Sequence, residues 1–193
     1  MKFTRTLIAL SAATLMATSA MAMEPAEYKA AKDQISADYK ANKQKCDALQ
    51  GNAKDVCQKE AKGAEKVAKA ELDARYKPSD KAAYKARVAK ADADYEVAKE
   101  KCDDLSGNAK DVCVKDAKAA HVSAKENAKV ARAAAKPADN TAAKQADVAE
   151  ARKDAAAEKN EANYKAAKER CDALGGDVKS KCVDDAKRVH GQN

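Results

Sequence analysis

Six cysteines in three identically spaced pairs constrain this chain more than any other feature. Each pair sits in a repeated phrase: a tyrosine, a cysteine at the seventh position after it, and a second cysteine eleven positions further on. The copies are Tyr39, Cys46 and Cys57; Tyr95, Cys102 and Cys113; and Tyr164, Cys171 and Cys182. Between the cysteines lie DALQGNAKDV, DDLSGNAKDV and DALGGDVKSK. No cysteine is left over, and even, paired usage of this kind reads as a disulfide framework. Cys46 lies five residues before Gly51 and Cys57 five after Asn52, with the same near-symmetry in the other copies. In an antiparallel helical hairpin such cysteines face each other just over a turn from the bend. The expected bridges are therefore Cys46–Cys57, Cys102–Cys113 and Cys171–Cys182. A redox pair would take the form Cys-x-x-Cys, which is absent. A zinc site would need four close ligands, and His121 and His190 are out of ligand spacing with the cysteines.

The chain has little with which to build a thick core. Past Ala22 the large aliphatics are few and scattered, the aromatics are six tyrosines, and the 45% of hydrophobic residues is mostly alanine. Such a composition sits near the boundary of disorder. Helix propensity offsets it, because Ala, Lys, Glu and Arg are the strongest helix formers. Opposite charges also recur four residues apart, as in Asp55/Lys59, Glu65/Lys69, Glu71/Arg75, Asp111/Lys115 and Glu161/Lys165. Each such pair adds about 0.2–0.5 kcal/mol to a helix. The fold class expected is all-α: three tandem antiparallel helical hairpins, each clamped by one Cys-x10-Cys disulfide, with thin Ala/Tyr seams.

Helix breakers set the boundaries. Pro25 suits a first helical turn, and Pro78 and Pro137 separate the copies. Gly51 and Gly107 suit left-handed helix ends, with Asn52 and Asn108 as N-caps and Asp55 and Asp111 in capping-box position. Gly175-Gly176-Asp177 takes that role in the third copy. The helices expected span residues 25–49, 53–76, 80–105, 109–135, 140–174 and 178–190. Tyr28 and Tyr39 share a helix face with Ile35, Cys46 and Leu49, and the second copy repeats this with Tyr84, Tyr95, Cys102 and Leu105. Tyr28, Tyr39, Tyr84, Tyr95 and Tyr164 are read as the seam of the hairpins, packing against small residues such as Ala61, Ala64 and Ala68. A ligand-stacking platform is the alternative reading of the rings.

Copies one and two are 56 residues apart at Tyr28/Tyr84, Cys46/Cys102 and Cys57/Cys113, and copy three is displaced by 69. Copy three is degenerate, with Lys153 at the first tyrosine position and Asn160 at the isoleucine position. A fixed period with a variant terminal copy indicates a repeat array. The units expected are 23–77, 78–136 and 137–193, following a signal peptide over 1–22.

That signal is read from Lys2 and Arg5, the apolar stretch from Leu7 to about Ala17, and the small-x-small site Ala20-Met21-Ala22. The apolar run is shorter than the roughly 20 residues of a membrane span. The expectation is cleavage after Ala22 and a soluble protein in an oxidising compartment, the bacterial periplasm. The formal charge of +7 includes Lys2 and Arg5, so about +5 remains, interleaved with acids along every helix. That pattern reads as solvated helix faces with a weak preference for anionic surfaces, and nucleic acid does not fit it. No Ser–His–acid set, Gly-rich phosphate loop or HExxH is present, so no catalytic, cofactor-binding or metal residue is expected, and the chain is expected not to be an enzyme. The partner expected is an envelope protein or an anionic envelope surface, with no nucleic acid and no transmembrane segment after signal cleavage.

The stretches Ala61-KGAEKVAKAELDAR-Tyr76 and Ala142-AKQADVAEARKDAAAEKNEA-Asn163 resemble the long periplasmic helix of TolA-type cell-envelope proteins. They are equally similar to the Ala/Lys/Glu repeats of late-embryogenesis-abundant stress proteins. The first resemblance implies spacing or bridging in the envelope; the second implies protection of other molecules. Neither carries a site residue over, and the cysteine hairpins belong to neither pattern. The function expected is a non-enzymatic exported repeat protein acting by surface interaction in the envelope, with a stress-protective or chaperone-like periplasmic protein as the alternative.

Overall fold

The computed structural model describes residues 23–138 and 140–192. The signal peptide and its cleavage site, expected over 1–22, lie outside the described residues. Among the described residues six α-helices follow one another: α1 Pro25–Cys46, α2 Gly51–Tyr76, α3 Asp80–Lys101, α4 Gly107–Ala135, α5 Thr141–Cys171 and α6 Gly176–Val189. Among the described residues there is no strand.

Two kinds of connection alternate. At the linkers, conventional caps start the next helix. Ser79 Oγ accepts from the Ala82 N–H at 3.1 Å and Asn140 Oδ1 from the Ala143 N–H at 2.8 Å, each just beyond a proline. At the hairpin bends, the returning helix opens instead on a left-handed glycine: Gly51 (φ +56°), Gly107 (φ +56°) and Gly176 (φ +54°). A side chain there would meet the Cβ clash that glycine lacks. The outgoing helix tightens just before the bend, with three-residue bonds from the Leu49, Leu105 and Leu174 N–H groups to the Cys46, Cys102 and Cys171 carbonyls at 3.0–3.1 Å. The helices therefore stop at the first cysteine of each pair, or one residue before it, rather than at residues 49, 105 and 174. The returning helices begin at the glycine itself rather than at 53, 109 and 178.

The expected N-caps at Asn52 and Asn108 are corrected by this geometry. The cap positions are Gln50 and Ser106, neither of which makes a side-chain cap bond. In the third copy the cap position is Gly175, not Asp177. The asparagines fall inside the helix, where their half-buried side chains reach across to the neighbouring helix.

The bridges are Cys46–Cys57, Cys102–Cys113 and Cys171–Cys182, with Cα–Cα distances of 5.5, 5.6 and 5.7 Å. Cys46, Cys102 and Cys171 are fully buried. Three such bridges are those of a protein that matures in an oxidising environment.

Each helix packs principally on its neighbours in sequence: α1 on α2, α2 on α3, α3 on α4, α4 on α5, and α5 on α6. The molecule is a single layer of antiparallel helices, with the three bends along one edge and the two linkers along the other. The contacts of α2 with α3 and of α4 with α5 are more extensive than those inside the first and third hairpins. Such a layer has no enclosed interior. Among the described residues the buried set is almost entirely alanine and cysteine, and Leu72 is its largest side chain. Among the described residues no helix is long and apolar enough to cross a membrane.

Candidate interaction surface

The two junctions between hairpins are built to one pattern. At the first, Asn52 Nδ2 donates to the Glu100 carbonyl at 3.0 Å. At the second, Asn108 Nδ2 donates to the Glu169 carbonyl, also at 3.0 Å. These carbonyls lie in the last turns of α3 and α5, and the Glu169 carbonyl, with two lone pairs, also accepts from the Asp172 N–H at 3.1 Å. Lys59 reaches Glu96 at 3.3 Å and Glu100 at 3.6 Å, and its counterpart Lys115 reaches Glu169 at 3.8 Å. Lys101 pairs with Glu60 at 3.1 Å, and Arg170 with Asp116. Lys59 and Lys115 thus spend their charge across the junction rather than on Asp55 and Asp111 of their own helices. Glu96 holds the Lys59 ammonium above the usual lysine range by accepting its hydrogen bond. Between these polar bonds α2 and α3 approach closely. A Cβ built on Gly63 would lie 3.0 Å from the Ala93 Cβ.

Within each hairpin a further ion pair spans the bend: Lys54–Asp47 at 3.1 Å, Lys110–Asp103 at 2.8 Å and Lys179–Asp172 at 2.8 Å. Hydrogen bonds from Lys110 and Lys179 hold the Asp103 and Asp172 carboxyls below the ordinary carboxylate range. The expected helix pairs Glu65–Lys69 (2.5 Å) and Glu161–Lys165 (2.6 Å) are formed.

The five tyrosines assigned to the seam are all half-buried. Their partners are not simply alanines. The Tyr28 ring stacks on Tyr76 with centroids 4.2 Å apart, and its hydroxyl donates to Asp73 at 2.6 Å. That bond to Asp73 raises the Tyr28 phenol above its ordinary value. Tyr95 stacks on His121 at 4.7 Å, and Tyr84 lies under the Arg132 guanidinium at 5.2 Å. His121 Nε2 is 2.6 Å from Asp92 Oδ1, and its Nδ1 is buried without a hydrogen-bond partner. Ala64 is exposed and Ala68 half-buried, and neither belongs to the tyrosine side of α2.

Ala64 and Ala68 instead floor an open groove of about 680 Å³ between α2 and α3, together with Val67, Val97 and Ala98. This groove lies between hairpins rather than in the seam of one. Glu60, Glu71, Lys90, Asp94 and Lys101 rim it, and Lys90 is tied to Asp94 at 2.7 Å. The position of Val67 in the second copy is Ser123, so the groove's apolar floor is not repeated between α4 and α5. Among the described residues no three His, Cys, Asp or Glu side chains are grouped to hold a metal ion.

The bend edge carries a feature that sequence reasoning missed as surface. Leu49, Leu105 and Leu174, one per bend at the same repeat position, are 40, 44 and 40% exposed. The 56-residue period pairs Leu49 with Leu105, Asn52 with Asn108 and Lys59 with Lys115, and that coincidence is the signal by which edge and junctions could have been found.

Scans against protein-family models, curated proteins and solved structures found no match to this chain.

Proposed function

We propose that this chain is a non-enzymatic exported repeat protein that works by surface interaction in the cell envelope, as a spacer, bridge or binding module. The observation that carries the reading is the single disulfide-clamped layer. A sheet one helix thick offers two broad solvated faces and one edge of repeated half-exposed leucines, and its chemistry is that of a surface. The bridges belong to an oxidising compartment, and residues 1–22 have the layout of an export signal, which together support the periplasm. The partner is an envelope protein or an anionic envelope surface.

The test uses the whole chain expressed in a bacterial host. Intact-mass measurement of the periplasmic fraction should find a species beginning at Met23 with three bridges. A photo-crosslinking residue at Leu49, Leu105 or Leu174 should then give discrete adducts in intact envelopes, absent from the same probe at Lys136 on the opposite edge. A reduced cytoplasmic protein, or adducts identical at both edges, refutes the proposal. A stress-protective role would appear as stoichiometric rescue of aggregating clients without discrete adducts. The register-specific junctions favour a protein of fixed shape over such a shield.

A further inference from the structure

The junction between hairpins is specified at four register positions, and the outward face of α6 carries the wrong residue at three of them. The helix that delivers the junction bears Asn52 or Asn108, then Lys59 or Lys115 seven residues on, then Gly63 or Ala119 four further, all on one face. The 69-residue displacement puts Asp177, Asp184 and Arg188 at these positions of α6. The acid at the fourth position, Glu60 or Asp116, persists as Asp185.

Each replacement removes a named interaction. An Asn amide donates to a helix-end carbonyl, whereas the Asp177 carboxylate can only accept, and it would face the negative end of the receiving helix. On its own helix Asp177 is well placed, in the first turn of α6. Asp184 reverses the charge that Lys59 and Lys115 bring to Glu100 and Glu169. Arg188 puts the longest side chain where Gly63 leaves only 3.0 Å between a Cβ and Ala93. Asp184 and Asp185 are instead satisfied within α6, by Lys187 at 3.4 Å and Arg188 at 2.9 Å. At the other end of the layer, α1 offers Gln44 where the receiving helices α3 and α5 carry Glu100 and Glu169.

We propose that α6 is an end cap, closed at Asp177, Asp184 and Arg188 against docking by α1 of a second copy of this chain. Terminal repeats of arrays need such a face, because an open one would continue head to tail without closing. The interface itself is transferable: what docks is decided by these positions.

Two variants of the mature chain test this, with the wild type as reference. In the first, Asp177→Asn, Asp184→Lys and Arg188→Ala are combined with Gln44→Glu, restoring the junction code on both outward faces. Sedimentation should show a monomeric wild type and a variant that self-associates with rising concentration, its association constant at least about a hundredfold higher. In the second, the third-copy residues are placed in α4 as Asn108→Asp, Lys115→Asp and Ala119→Arg. Amide exchange over α5 should then speed up by about a hundredfold while all three disulfides remain intact by mass. A first variant that stays monomeric with its helical spectrum unchanged overturns the proposal. So does unchanged protection of α5 in the second variant, or a wild type that self-associates through α6. The second measurement stands even where the first variant folds poorly.

Discussion

Removing the third disulfide should release α6 and leave the other five helices in place. α6 has 14 residues, and a helix of about 12–15 residues is marginal alone in water. Its one buried residue is Ala186, whose methyl contributes about 0.8 kcal/mol. Val178 and Val189 are 64 and 70% exposed. The ion pairs of α6 are solvent-facing, and pairs of that kind contribute about 0–1 kcal/mol. Against these small terms stands a bridge of sequence separation 11, which contributes roughly 3 kcal/mol by constraining the unfolded loop. The bridge is the largest single contribution holding α6 to α5.

Cys171→Ser with Cys182→Ser should therefore lower the opening free energy of α6 by about 3 kcal/mol, a rise of about a hundredfold in its amide exchange. The loss of 14 helical residues would remove about a tenth of the far-ultraviolet helical signal, given helices of 22, 26, 22, 29 and 31 residues elsewhere. The middle bridge is the internal control. α3 and α4 are each packed on both sides, so Cys102→Ser with Cys113→Ser should loosen the bend without freeing either helix. Exchange by mass spectrometry on peptides from α4 and α6 separates these outcomes. Protection of α6 in the first variant equal to that of α4 in the second would refute the reasoning, since packing unseen in this ledger would then hold the third hairpin.

Reduction of all three bridges should lower and broaden the melting transition while much of the helical circular dichroism survives in the cold, because each roughly 3 kcal/mol constraint goes but local propensity stays. Asn52→Ala or Asn108→Ala should each cost about 0.5–1.5 kcal/mol in denaturant unfolding, the worth of one hydrogen bond to a helix-end carbonyl. Gly63→Leu should cost about 1–3 kcal/mol by forcing α2 from α3, despite leucine's better helix propensity. Below neutral pH, Asp103 and Asp172 contribute stability that is full above their unfolded pKa of about 3.9 and is lost as pH falls through their lower folded values; Asp103→Asn with Asp172→Asn should flatten the acid limb of a stability–pH curve.

The disulfides and the all-helical class were legible because covalent geometry leaves few choices. Two cysteines placed symmetrically about a glycine can meet only across a helical bend, and all three bridges formed as the spacing required. The junctions were not legible because a side chain's local and distant uses look alike in sequence. Asn52 after a glycine reads as an N-cap, and Lys59 four residues after Asp55 reads as a helix pair. Each instead satisfies a partner more than 35 residues away. The local options were worth a few tenths of a kcal/mol to a lysine in water, too little to hold it. His121 was weighed only as a metal ligand, and its stacking on Tyr95 was not legible because Glu65 holds its position in the first copy and no repeat marks it.

A layer seamed with alanine has a register problem that a leucine core does not. Interdigitating large side chains fix how two helices sit, but Ala61, Ala91, Ala93, Ala117 and Ala119 present nearly identical small surfaces. One helix could slide a turn along another at little loss of burial. The junction charges resolve that degeneracy. Each exposed pair is weak, yet a slip would part Lys101 from Glu60 and Arg170 from Asp116 and take the Asn amides off their carbonyls. Strength and specificity are thus carried by different parts of the chain. The bridges supply stability within hairpins, and the polar bonds between hairpins set which helix meets which and in what register. The third copy could therefore lose its tyrosine and isoleucine positions, to Lys153 and Asn160, and still dock through α5. There it keeps Glu169 and Arg170, though Lys165 stands where α3 has Glu96, and the Asn and Lys that deliver a junction are replaced on α6, the face that no described helix covers.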